Sequence, residues 1–305
     1  DDVLISTKSP CWLMEEKGDF EYYLDKQLEK LQTDSIDIYL LHALTKNDWD
    51  KVRKLRVLDF LDDSLSSGKI KHVGFSSHTE IDTFVDILDA YPKWEVVLTQ
   101  MNYLDEYYQT GVMGLDELKR LNIGSMIMEP LRGGRLVQNI PPEVQKLWNG
   151  AEVKRTPVEW ALEYLWNRDD VDCVLSGMNS LEQVRQNIQI ASDVKEISEH
   201  DHDLIREVAR TYKTLTGNDC TCCGYCMPCP EDVDIINCFK EYNIGKMLNN
   251  PKGSALQYFT LIDDDCRADS CINCGECEFV CPQMLDIPQE LEKVDEYFGR
   301  EFNHF

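Results

Sequence analysis

No run of apolar residues in this chain approaches the length needed to span a bilayer, so none of it reads as a membrane helix and no membrane partner is expected. Basic residues are scarce beside acidic ones: 31 Lys and Arg face 56 Asp and Glu, for a formal net charge of -25. Such a surface repels phosphate backbones and excludes ordinary nucleic-acid binding, and it favours solubility or a basic protein partner. No signal-peptide pattern opens the chain, which points to the cytoplasm. No Gly-x-Gly-x-x-Gly fingerprint follows any strand-like run, which counts against an open, doubly wound dinucleotide-binding sheet. The chain also lacks an initiator methionine and starts Asp1-Asp2-Val3 inside a strand-like run, so a preceding segment is expected.

What is present is regular alternation. Strand-like runs at Val3 to Thr7, Asp37 to His42, Ile70 to Phe75, Val96 to Met101, Ile123 to Met128 and Cys173 to Leu175 each precede a segment of helical periodicity. The helical segments are Asp19 to Gln32, a long one from Asn47-Asp48 to near Gly68, Ile81 to Leu88, Leu115 to Leu121, one from Pro157 and one from Leu181. Thr156-Pro157-Val158-Glu159 and Ser180-Leu181-Glu182-Gln183 read as capped helix starts. Trp160, Leu162, Leu165 and Trp166 read as the core face of the helix from Pro157, and Cys173 as a buried strand residue.

Six strand-helix units imply a parallel sheet with helices outside. The expected fold class is α/β, a (β/α)8 TIM barrel lacking its first two units. A helix over Leu204 to Leu215 then leads into the cysteine-rich end. The expected domains are a partial barrel over 1–195, a connector over 196–218 and a small α-helical ferredoxin-like domain over 219–305, with helices at Ile235 to Met247 and Ala255 to Ile262.

Cys220, Cys223, Cys226 and Cys229 spell C-x2-C-x2-C-x2-C-P, and Cys271, Cys274, Cys277 and Cys281 spell C-x2-C-x2-C-x3-C-P. Three thiolates on one tight loop hold three irons of a 4Fe-4S cube, and the cysteine before proline ligates the other cluster in two-cluster proteins. Two 4Fe-4S clusters with crossed ligands are expected: Cys220, Cys223, Cys226 and Cys281 for one, and Cys271, Cys274, Cys277 and Cys229 for the other. Structural zinc needs only four tetrahedral ligands and leaves the third evenly spaced cysteine and the C-P unexplained. Cys238 and Cys266 have no counterpart in the other half-motif and read as non-ligands, while Cys222 is a spare thiol.

Lys8 and His42 end the first two visible strands. Active sites of such barrels sit at the carboxyl ends of the strands, and adjacent strands lie about 5 Å apart, so both side chains reach one mouth. His78 ends a third strand and reads as a mouth-lining residue. Arg132-Gly133-Gly134-Arg135 could meet an anion or form a surface loop, and Cys11 is left unassigned.

The runs Ile5-Ser-Thr-Lys8, Leu31-Gln-Thr-Asp-Ser-Ile-Asp-Ile-Tyr-Leu-Leu-His42, Val73-Gly-Phe-Ser-Ser-His78 and Gln100-Met-Asn-Tyr-Leu-Asp-Glu106 resemble an aldo/keto reductase over about residues 1 to 190. With Met128 to Gly134, Trp160 to Asn167, Leu175 to Asn179 and the cysteine tail, the chain resembles the ferredoxin-fused branch of that family. The resemblance implies an NAD(P)H-dependent oxidoreductase acting on a small carbonyl or alcohol, with electrons passing through the clusters to or from a redox protein partner.

It also implies a tetrad of Asp, Tyr, Lys and His in which Lys8 and His42 match the last two, while the first two precede the lysine strand, so their positions are absent from these residues, which by themselves are not expected to reduce a carbonyl by that route. In that mechanism tyrosine protonates the carbonyl oxygen, lysine lowers the tyrosine pKa, aspartate holds the lysine and histidine orients the carbonyl. Ser76 and Gln100 match positions that hydrogen-bond the nicotinamide carboxamide, and Asn187 matches the adenine-contacting asparagine. Gly177 and Gln183 stand where a lysine and an arginine grip the 2'-phosphate, which counts against NADP. Ser77 and Met128 also depart from the family's asparagine and stacking tyrosine. Hydride carries two electrons and each cluster one, and no flavin motif lies between them. The competing reading is a non-catalytic nucleotide-sensing barrel whose cluster module transfers electrons, senses redox state or is structural.

Overall fold

The computed structural model describes residues 3–302, with the side chains of 300–302 left out of the description. The chain divides into two compact units, Asp1–Gly133 with Val158–Ile197, and Gly134–Pro157 with Ser198–Phe305.

The first unit is built on a six-stranded parallel sheet whose spatial order is its sequence order: β1 (Ser6–Ser9), β2 (Ile36–Leu44), β3 (Ile70–Ser77), β4 (Val96–Gln100), β5 (Gly124–Met128) and β6 (Cys173–Val174). Each strand is added on the same side of the last, so there is no reversal of strand order as in a doubly wound sheet. The α/β class and the parallel sheet therefore agree with the barrel expectation. All strands run in one direction, so their carboxyl ends share one edge.

Helices of the same unit cover the sheet: α1 (Gly18–Leu31), α2 (Lys46–Lys54), α3 (Val57–Ser66), α4 (Ile81–Asp89), α5 (Gly111–Leu121), α7 (Pro157–Trp166) and α8 (Leu181–Ser192); α6 (Pro142–Gly150) belongs to the second unit. The single long helix expected before Gly68 is two, because Arg56 adopts a left-handed φ of 63° between α2 and α3. A non-glycine residue in that region cannot continue a right-handed helix. Thr45 caps α2 with a full capping box through Asp48. At Ser180 only half the expected box forms: its side chain accepts from Gln183 N, while Gln183 Oε1 accepts from Asn179 N at 2.8 Å. Cys173 is exposed, correcting the buried reading; β6 is a two-residue strand at the end of the sheet order, paired among the described residues with β5 alone.

Alternation along the strands makes two layers. Leu40, Leu98 and Met126 form an interior cluster flanked by Ile38, Val96 and Met128. Residues of opposite parity face the helices, where Tyr39 and Phe20 pack on Phe60 at 6.3 and 5.4 Å, and Phe75 packs on Phe84 and Trp94 at 5.6 and 5.0 Å.

The described part of the second unit contains helices and no strand: α6, α9 (Glu199–Thr214), α10 (Ile235–Met247), α11 (Pro251–Leu261) and α12 (Ile287–Phe302). α9 begins five residues before the expected Leu204, because Ser198 and Asp201 close a capping box. Its buried Asp201 also pairs with Arg155 at 3.2 Å. α11 begins at Pro251, capped by Asn250. Phe239, Tyr242, Tyr258, Leu291, Val294 and Phe298 make the core, with Tyr258 stacked on Phe298 at 4.3 Å. The cysteine loops pack against that core.

Candidate functional site

In a parallel ladder, paired residues project to the same face. Lys8 pairs with Leu40, Ser76 with Leu98, and Gln100 with Met128, which follows Met126 by two. Lys8, Ser76, Gln100 and Met128 therefore share the face of the interior cluster, toward the carboxyl ends of their strands. His42 follows Leu40 by two and lies within the register shift between Leu41 and Leu44. The ring of Trp12 meets its imidazole edge to face at 4.9 Å. Partial burial lowers the His42 pKa, and the nearby charges of Lys8 and His78 push it the same way. The imidazole is neutral at pH 7 and able both to donate and to accept.

Ser76 is buried, and its Oγ accepts the backbone N–H of Ala43 at 2.7 Å. Ala43 holds a left-handed φ of 51°, so this bond fixes the turn that follows His42. The hydroxyl oxygen is engaged and its hydrogen is left to donate. Gln100 does the reverse. Its Nε2 donates to Asp105 Oδ2 at 3.0 Å, while Oε1 has no partner among the described residues. One free donor and one free acceptor are together complementary to a primary carboxamide.

Asn187 lies in α8, buried, with Nδ2 donating to Ser176 Oγ at 2.8 Å. His78 is exposed, with Gln109 Nε2 at 3.4 Å from its Nδ1. Cys11 is fully buried, and that burial raises its thiol to about 12. The arginines around Gly133-Gly134 each meet a protein group: Arg132 Nε lies 3.2 Å from Asp105 Oδ2, and Arg135 Nη2 donates to the Gly253 carbonyl at 3.4 Å. Asp105 has no assignment in the sequence reading. Its position five residues after Gln100 is the signal that was there to use.

The two cysteine runs repeat in backbone as well as in spelling. Residues on either side of the second cysteine of each run are left-handed, Cys222 and Gly224 at φ 56° and 82°, Asn273 and Gly275 at 58° and 75°. The residues three after the C-P cysteines match too, Asp232 at 56° and Met284 at 53°, each donating its N–H back to that cysteine's carbonyl at 3.1 Å. Alternation of this kind turns successive N–H groups toward one point and builds concavities that favour anionic groups, iron-sulfur clusters among them.

One cavity of about 190 Å³ is lined by Cys271, Cys274, Cys277 and Cys229, with Cys226 at its wall. A second, narrower at about 20 Å³, is lined by Cys220, Cys223, Cys226 and Cys281, with Cys222. Among the described residues no group of three or more His, Cys, Asp or Glu side chains stands in metal-binding geometry. Cys238 is buried in the helical core and Cys266 packs at its edge.

L-galactose dehydrogenase of Arabidopsis thaliana is 26% identical over 230 residues, 68% of this chain and 69% of that protein. The holo form of aldo-keto reductase AKR11C1 from Bacillus halodurans superposes with a TM-score of 0.57 at 22% identity, over 68% of this chain and 72% of that one. The thermostable aldo-keto reductase Tm1743 gives 0.52 at 17%, over 68% and 72%. These structural likenesses carry the fold alone. The sequence model of the aldo/keto reductase family matches residues 1–210. With more than half its length matched, this chain belongs to the aldo/keto reductase family, a family of oxidoreductases.

Proposed function

We propose that this chain is an NAD(P)H-dependent oxidoreductase of the ferredoxin-fused branch, acting on a small carbonyl or alcohol and exchanging electrons with a redox protein. Its parts are a barrel over 1–195, a connector over 196–218 and a cluster domain over 219–305. The observation that carries the reading is the pairing of a free donor at Ser76 with a free acceptor at Gln100, on the sheet face that also bears Lys8. These two residues would hold the carboxamide of a nicotinamide, and Asn187 would meet the adenine. His42, neutral at pH 7, would hydrogen-bond the substrate carbonyl, and Lys8 would supply positive charge beside it.

The cysteine loops suit two 4Fe-4S clusters, one held by Cys220, Cys223, Cys226 and Cys281, the other by Cys271, Cys274, Cys277 and Cys229. The sets of side chains facing each cavity and the repeated left-handed residues support that division. When bound, a nicotinamide supplies hydride and a cluster carries a single electron. Gln183, tied to the Asn179 backbone, offers no cation to a 2'-phosphate, which favours NAD over NADP.

The test is an anaerobic titration of the iron- and sulfide-reconstituted protein with NADH and NADPH, followed by visible absorbance and EPR. Bleaching by a nucleotide is the expected result. Bleaching by dithionite but by neither nucleotide, with nucleotide binding intact, would replace this reading with that of a sensing barrel and a separate cluster module.

A further inference from the structure

We propose that Asp105 is a positioning residue that fixes the polarity of Gln100, so that the mouth of the barrel selects a primary carboxamide over a group of the same shape that cannot donate. This rests on the reading above, in which Gln100 faces the nicotinamide.

A glutamine amide has two ends of nearly equal size and opposite hydrogen-bonding sense, and its environment decides which end faces outward. Here the decision traces back to the backbone. Asn102 is fully buried, and its Oδ1 accepts the N–H groups of Leu104 and Asp105 at 3.0 Å each. That leaves Asn102 Nδ2 to donate, to the Glu129 carbonyl at 3.1 Å and to Asp105 Oδ2 at 3.0 Å. The same carboxylate oxygen takes Gln100 Nε2 at 3.0 Å and Arg132 Nε at 3.2 Å.

A carboxylate only accepts. Turning Gln100 over would set its Oε1 against Asp105 Oδ2, two acceptors at hydrogen-bonding distance in a site where Asp105 is 7% and Gln100 is 9% exposed. Gln100 therefore presents Oε1 outward, and Oε1 accepts. A carboxamide NH2 satisfies it, whereas a methyl ketone of similar outline leaves a nearly buried acceptor unpaired. Ser76 is oriented in the same way by Ala43 N, as a donor, and serves the carbonyl oxygen common to both groups.

The probes are NAD and its 3-acetylpyridine analogue, which keeps the carbonyl and replaces NH2 by methyl; ADP-ribose lacks the ring altogether. Equilibrium binding to the full chain is read by calorimetry or tryptophan quenching. The unaltered protein should prefer NAD over the analogue by about tenfold, the worth of one hydrogen bond to a buried acceptor. Asp105→Asn can donate or accept, so it releases Gln100 to turn over, and the preference should fall to within about twofold while ADP-ribose affinity stays unchanged. Gln100→Ala should also erase the preference.

If Asp105→Asn keeps the tenfold preference while Gln100→Ala erases it, the role of Asp105 is refuted and the reading of Gln100 survives. If Gln100→Ala keeps it, the nicotinamide reading of Gln100 fails. A measurement without any variant at Asp105 is the side-chain amide exchange of Gln100 in the free protein. One Nε2 hydrogen should be protected relative to Gln289, and equal exchange of the two residues would refute the proposal.

Discussion

Replacing Gly74 with alanine should damage both the sheet and the mouth. Gly74 lies in the middle of β3, paired with Leu40 on one side and Val96 on the other. A Cβ built there would stand 1.9 Å from the Val96 carbonyl oxygen and 2.8 Å from Leu40 Cδ2. Carbon and oxygen approach no closer than about 3.3 Å even in a favourable C–H···O contact, so β3 and β4 must separate by more than about 1 Å. The obstacle is backbone in a ladder whose strands are about 4.8 Å apart, and it cannot swing aside as a side chain can.

Overpacking of a core costs about 1–3 kcal/mol, and a clash with backbone belongs at the upper end, about 3 kcal/mol. Ser76 lies two residues further on, so displacement of β3 also strains its bond to Ala43 N. Urea unfolding followed by tryptophan fluorescence measures the first effect and NAD binding the second. Gly150→Ala serves as the control, since nothing lies within 4 Å of its Cβ, and should change stability by no more than about 1 kcal/mol. If Gly74→Ala costs less than about 1 kcal/mol and leaves NAD affinity unchanged, the close strand approach is not as described and the reasoning fails.

Cys274→Ser should remove the absorbance and EPR signal of one cluster while NAD still binds the barrel; loss of nucleotide binding as well would contradict independent modules. In the full-length protein, His42→Ala should lower carbonyl turnover by about 10²-fold or more with a smaller effect on cofactor affinity, as assayed by steady-state kinetics. The folded His42 pKa lies below the unfolded value, so the neutral ring persists as pH falls through 6.5. Its contribution to stability is present above the unfolded pKa and is lost as pH drops through the folded one; an acid limb of turnover assigned to His42 should lie below 6.5. A limb above 6.5 would show that the ring is not desolvated as described. With its thiol at about 12, Cys11 should resist iodoacetamide at pH 8, where only ~10⁻⁴ of it is thiolate, while exposed Cys173 reacts; peptide mass mapping reads both.

Much of this was legible in one dimension. The strand-helix alternation needs only the local periodicities of 2 and 3.6, and it puts Lys8 and His42 at strand ends. The cysteine spacing is likewise local, because a cluster loop is a few residues long. Errors came where a single dihedral or a distant partner decides. Nothing in the hydrophobic pattern marks Arg56 as the left-handed residue that splits α2 from α3, and the exposure of Cys173 depends on β6 being short and, among the described residues, paired on one side only.

Asp105 shows the division most clearly. Its carboxylate gathers Gln100, Asn102 and Arg132, the last of them 27 positions away along the chain and brought back by the turn that follows β5. Periodicity put Lys8 and His42 at strand ends and the family resemblance named Ser76 and Gln100, because both signals are carried by short runs of neighbouring residues. Which end of the Gln100 amide faces outward, and what it will bind, depended on a hydrogen-bond network that exists only once the strands are side by side, since polarity is set by partners in space.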